Sequence, residues 1–281
     1  MLTRRNFSRL ALAALPVAAC STKPAASTVR LGVQSYSFRD RSLDDALQAM
    51  AGIGIKTCEL WSGHVEPRDL KGEDLRAWRL STPIRHWEDV RAKFERAGVE
   101  LHAYNYSFRE TFSDEEIARG FEMAQALGVE AITASSNVST AKRIDPHARN
   151  AQIPVGMHNH SRIHENEFAT PDDFLAAMEG HSEYIAINLD IGHFAAANFD
   201  PVDFLAKNHQ RIVTLHIKDR KRDQGANLPF GEGDTPIREV LLWLRDNNSR
   251  IPANIEYEYK GEDTVAEVRR CFEYCQAILA G

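Results

Sequence analysis

The chain repeats one local theme eight times: a short apolar run, a polar turn, then a stretch whose apolar residues recur at helical spacing. The runs fall at 29–37, 57–61, 99–106, 130–136, 153–160, 184–190, 212–219 and 253–259. Between most of them lie stretches such as SLDDALQAMAGIG, HWEDVRAKFERAG and SDEEIARGFEMAQALG, whose apolar positions share one helical face. Several open on Ser, Thr or Asp and end on Gly or Asn, as capped helices do. Strands alternating with helices imply a parallel sheet, and eight such units predict a closed α/β barrel, the (β/α)8 TIM barrel, as one domain over residues 29–281. A doubly wound open sheet is the structural alternative. The fourth unit is the weakest, because NVSTAKRIDPHARNAQ predicts only a short, broken helix.

The first twenty residues, MLTRRNFSRLALAALPVAAC, read as an export signal rather than as fold. Arg4, Arg5 and Arg9 make a positive start, and the apolar run after them is too short to span a bilayer. The adjacent arginines resemble a twin-arginine signal, and VAAC resembles a lipobox with Cys20 as the residue to be lipidated. A plain cleaved secretory signal is the simpler reading. Either predicts an exported, periplasmic protein, touching a membrane only through a lipid on Cys20, with residues 21–28 as a tether. Removing three arginines takes the formal charge from −6 to −9. So acidic a domain is a poor nucleic-acid binder and a poor fit to highly phosphorylated substrates. Cys58, Cys271 and Cys275 form no paired framework and are expected to be packing residues.

In a barrel of this kind the polar residues at the C-terminal strand ends form the site. The fifth run ends His158, Asn159, His160; the sixth ends Asp190, with His193 three residues on. The seventh carries His216 and Lys218, and the eighth Glu256 and Glu258. Any one of these is unremarkable at a strand end. Two histidines and two carboxylates on four successive strands can converge on one divalent ion, in a mixed shell suited to Mn, Co, Fe or Zn. Residues two apart share a strand face, so His158 with His160, His216 with Lys218 and Glu256 with Glu258 point together. The first of each pair is favoured as ligand and the second for substrate; His193 is expected to bond a substrate hydroxyl.

The stretches GVQSYSFRD, CELWSGH, GMHNHSRIHENEFATPDDF, NLDIGHF, LHIKD, PFGEGDTPI and IEYEY together resemble the sugar phosphate isomerase/epimerase superfamily of xylose isomerase-like barrels. That resemblance implies one divalent metal held by a Glu, Asp, His, Glu set, which here falls on His158, Asp190, His216 and Glu256. The first position departs from the pattern. Epimerases of the family are expected to use two glutamates as opposed acid and base, and a metal-bound histidine is a poor base. A one-base reaction on a neutral keto-sugar or polyol is therefore favoured, with Glu256 or a neighbour removing the proton, as in β-elimination. Aldose–ketose isomerisation would use another base, Glu59 or His160.

Gln34, Tyr36, Phe38, Glu59, Trp61, His64, Tyr104 and Tyr106 are candidates to line the mouth, and Lys218 either bonds substrate or pairs with Asp190 or Asp219. FGEGD (230–234) is too acidic to cradle phosphate. A barrel that binds sugar without chemistry is the competing function. A nuclease of the endonuclease branch would need a basic face, which the charge opposes.

Overall fold

The computed structural model describes residues 29–281; the expected signal and tether, Cys20 included, lie outside the described residues. The eight expected strands all form, all but β2 shorter than the apolar run: β1 (Leu31–Gln34), β2 (Thr57–Trp61), β3 (Glu100–Asn105), β4 (Ala131–Ala134), β5 (Val155–His158), β6 (Ile185–Asp190), β7 (Ile212–Ile217) and β8 (Ala253–Ile255). They pair in parallel around a closed ring in which β8 meets β1. A two-stranded ribbon, Asp219–Arg220 with Asn227–Leu228, follows β7. The open-sheet alternative is excluded.

The helix layer is α1 (Leu43–Ile53), α2 (Gly72–Ser81), α3 (Arg85–Ala97), α4 (Asp114–Leu127), α5 (Ala141–Ala151), α6 (Pro171–Met178), α7 (Ile191–Ala196), α8 (Pro201–Asn208), α9 (Ile237–Asp246) and α10 (Thr264–Ala280). Local chemistry sets many of the ends. Ser42, Asp200 and Asp263 each accept a backbone N–H of the first turn, and Ser113–Glu116 and Thr170–Asp173 form capping boxes. Gly54, Gly98 and Gly128 close α1, α3 and α4 in the left-handed region.

The fourth unit differs from expectation. Its helix α5 runs eleven residues with Pro146 inside it. Ile144 and Ala148 bury one face of it against the barrel, and that packing outweighs the one amide donor the proline lacks. Helix α2 was not legible because none of its residues is fully buried.

Outward strand residues such as Val33, Leu60, Ile132, Met157, Leu189, Leu215 and Ile255 are buried against the helices. Cys58, Cys271 and Cys275 are free, buried thiols within the same packing. The inside of the barrel is polar. Glu59 accepts from Thr133 Oγ1 (2.6 Å) and Asn254 Nδ2 (3.2 Å), and Asn254 also donates to Thr214 Oγ1 (2.8 Å). A satisfied buried network of this kind is rigid, and it forms the floor on which the site stands.

Between β2 and β3 the register shifts at Cys58/Glu59, where β3 advances two residues against one. Such a bulge reverses side-chain parity beyond it. Tyr104 and Tyr106 are therefore buried rather than set in the mouth, and Asn105 faces the cavity instead. Phe38, also expected at the mouth, is core.

Candidate metal centre

Four side chains from four successive strands meet at the C-terminal end of the barrel. His158 closes β5, Asp190 closes β6, His216 lies one residue before the end of β7, and Glu256 follows directly on β8. All four are buried, and one ligand atom from each lies within 4.8 Å of every other. The sequence paired these residues; the structure brings them together.

Each is aimed by a neighbour. Asp190 caps α7: its Oδ1 accepts the His193 N–H at 2.7 Å, which leaves Oδ2 facing the cluster. Asn159 clamps the Asp190 backbone, donating to its carbonyl (3.1 Å) and accepting its N–H (2.9 Å). Ser135 Oγ lies 3.3 Å from His158 Nδ1, leaving Nε2 turned inward. His216 Nε2 lies 2.9 Å from Glu59 Oε2, which presents Nδ1 to Glu256 Oε2 at 3.0 Å. A carboxylate behind a ligating imidazole is the usual device for fixing its tautomer and orientation.

Two buried cationic groups, Lys218 and His216, stand among the carboxylates of the cluster. Lys218 is buried with Nζ 3.1 Å from Asp190 Oδ2, 2.9 Å from Glu256 Oε2 and 2.6 Å from Glu258 Oε2. Burial opposes its charge, but the three carboxylates raise its pKa above the usual lysine value. Burial likewise opposes a charge on His216, yet Glu59 and Glu256 on either side hold its pKa well above the usual value. For Asp190, burial is outweighed by His193, Lys218 and His158, and its pKa stands well below the carboxylate range. Glu256 is lowered in the same way: Lys218 and His216 outweigh its burial.

The donor set fits a divalent ion. His158 Nε2 is buried and faces the cluster 3.5 Å from Asp190 Oδ2, yet it makes no hydrogen bond. Leaving such an atom unmatched is costly, and a cation between it and the Asp190 carboxylate would remove the cost. Two imidazoles and two carboxylates suit Mn, Co, Fe or Zn rather than Ca.

Above the cluster opens a polar cavity of about 440 Å³. His160, His193, Lys218, Tyr36 and Trp61 line it, as expected from the sequence. His160 makes no side-chain hydrogen bond among the described residues. Desolvation, then the neighbouring His158, takes its pKa down to about 4, so the ring is neutral near pH 7. His193 is held between Lys218 Nζ (3.1 Å) and Arg220 Nη1 (2.6 Å). Two expected site residues stand elsewhere. Glu59 does not line the cavity, because it lies fully buried beneath His216 with both oxygens engaged. His64 turns away to Ser35 Oγ (3.0 Å) and the Phe38 carbonyl (3.3 Å), beside a separate surface groove. Sequence reasoning missed Asn105, Ser107, Arg109 and Ser135, all in the cavity wall. Asn105 closes β3, Ser107 and Arg109 follow it and Ser135 follows β4, and position alone could have flagged them.

The acidic turn at 230–234 wraps a buried carboxylate. Asp219 accepts the N–H groups of Gly231 (2.8 Å), Gly233 (2.9 Å) and Thr235 (3.3 Å), so those amides are not free for phosphate. A Cβ at Gly233 would collide with that carboxylate. Asp219→Ala strands three amides, and we expect a loss of about 2–3 kcal/mol, or roughly 5–10 °C in Tm by scanning calorimetry.

A family model described as the xylose isomerase-like TIM barrel matches residues 47–275, well over half of the chain. The chain belongs to that family. An L-ribulose-5-phosphate 3-epimerase of Escherichia coli is 32% identical over 92 residues, 32% of each chain. The chain thus spans about a third of the length of the curated relatives it matches. Among solved structures, a sugar phosphate isomerase/epimerase from Parabacteroides distasonis superposes with a TM-score of 0.65 at 19% identity, covering 94% of this chain and 98% of its own. The 3-keto-D-glucoside 4-epimerase YcjR of E. coli gives 0.66 at 14%, covering 89% and 99%. These likenesses show the shared fold alone.

Proposed function

We propose that this protein is a divalent-metal-dependent enzyme of the sugar isomerase/epimerase type that moves a proton next to the carbonyl of a neutral keto-sugar or keto-polyol. The observation that carries this reading is the convergence of His158, Asp190, His216 and Glu256 beneath a polar cavity. A divalent ion held by these four would polarise a substrate carbonyl and acidify the adjacent C–H bond. His160 is the proton acceptor the geometry favours, its ring unbonded and in the cavity wall. Glu256 is the poorer base, since its Oε2 already faces His216 and Lys218. His193 and Lys218 are set to orient substrate oxygens, and Tyr36 and Trp61 meet edge to face (5.0 Å) at the rim. Glu256 and Glu258 also line the cavity but are both held by Lys218 Nζ, so a one-base isomerisation or β-elimination is favoured over two-base epimerisation.

The test is exchange of carbon-bound hydrogen with D2O in a panel of keto-sugars, read by NMR on Mn-loaded protein. We expect exchange with at least one sugar, lowered about 100-fold in His160→Ala. Metal-loaded protein that exchanges no sugar would leave the sugar-binding barrel as the better account.

We also propose that the protein is exported and anchored through a lipid on Cys20, on the strength of Arg4, Arg5 and the VAAC stretch. Metabolic labelling with an alkyne fatty acid should mark the wild type and not Cys20→Ala. Equal labelling of both would remove the anchor from this proposal.

A further inference from the structure

The metal cavity does not end at its own wall. Trp61, Asn105, Ser107 and Arg109 line it on one side and on the other line a second cavity of about 410 Å³. The first chamber, about 440 Å³, is already ample for one hexose, so a single sugar would leave the second unused. On the proposed reading of the metal site, we infer that the substrate is a glycoside, its reacting unit over the metal cluster and a second neutral sugar unit in the adjoining chamber.

The walls of that chamber choose the class. Two of its arginines are already paired. Arg79 grips Glu66 at 2.9 and 2.7 Å and lies over the Tyr106 ring. Arg76 sits 3.3 Å from Glu73 and 3.4 Å from Glu116. A phosphate there would have to displace these carboxylates, whereas hydroxyl groups can use the donors and acceptors as they stand. Arg109, at the seam, has no carboxylate partner among the described residues; its one hydrogen bond runs to the Ser135 carbonyl at 3.3 Å. Its planar fork is free to span neighbouring hydroxyls or the linking oxygen. Trp61 stands at the same seam, steadied by the Arg68 guanidinium 4.8 Å over its ring. An indole there offers a stacking surface where one sugar joins the next.

Calorimetric titration of the full chain decides it, with D-fructose, the glucosyl-fructose isomaltulose and D-fructose 6-phosphate as probes. The expected result is isomaltulose bound at least tenfold tighter than fructose, with that ratio collapsing towards one in Thr111→Trp, which fills the second chamber from its exposed wall. Arg109→Gln should narrow the ratio too, and circular dichroism checks that both variants fold. Equal affinities in the wild type, or a ratio that survives Thr111→Trp, would overturn the glycoside inference alone. The phosphate ester binding tightest would assign the chamber to an anion instead. Binding of none of the three would overturn the carbohydrate reading and this inference with it.

Discussion

His216→Ala is expected to empty the metal site. Elemental mass spectrometry of the purified wild type should find close to one equivalent of Mn, Co, Fe or Zn, and the variant less than about a tenth of that. His216 sits between the carboxylates of Glu59 and Glu256, with Nδ1 3.0 Å from Glu256 and 4.0 Å from Asp190 Oδ2. Removing it deletes one of four donors and also leaves Glu59 without the imidazole its Oε2 faces. Binding through Nδ1 needs that ring to shed its second proton, so the Glu59 contact to Nε2 decides which nitrogen stays free. Glu59→Gln keeps the shape and removes the charge behind the ring. Loss of such a backing group typically weakens metal binding about 10- to 100-fold, so this variant should retain metal at high concentration and lose it on dialysis. Full metal content in His216→Ala would refute the assignment of the four ligands. No metal in the reconstituted wild type would refute the metal-dependent reading altogether.

The four-residue cluster was legible because two rules act together at these positions. Side chains alternate along a strand, and barrels gather function at one end, so His158, Asp190 and His216 could be read off their strand ends. Glu256 was read the same way although β8 stops at Ile255, since the chain stays extended enough for Glu256 and Glu258 both to reach Lys218. Alternation fails where the register does. The bulge opposite Glu59 reversed β3 and sent Tyr104 and Tyr106 into the helix layer, and no local pattern announces a bulge. Glu59 looked like a mouth residue because it lies on an inward face, but depth along the barrel axis depends on stagger between strands. Helix α7 was hidden for a different reason. It is six residues long and capped by Asp190, too short to show a helical period, so the sequence did not mark the segment that aims this carboxylate.

Lys218→Met should be the most destabilising change at the site, and an added divalent ion should reverse it. Lys218 Nζ lies within 3.1 Å of carboxylate oxygens on Asp190, Glu256 and Glu258. Without the ammonium, those carboxylates face one another in a buried space with only His216 to offset them. Breaking a buried ion pair by removing one partner costs about 3–5 kcal/mol, so the metal-free variant should melt roughly 10 °C below the metal-free wild type. A methionine of similar length keeps the packing, which confines the effect to charge. A divalent ion would draw on Asp190 and Glu256, two of the carboxylates the lysine now holds. In the variant it meets no competitor, and at a thousandfold excess over its dissociation constant it contributes about 4 kcal/mol, close to the loss. The measurement is thermal unfolding of both proteins with chelator and with Mn²⁺. The expected pattern is a larger Mn²⁺-induced rise in the variant than in the wild type. Equal rises would mean that the lysine and the ion do not share oxygens, and unchanged melting of the chelated variant would mean the carboxylates never needed it.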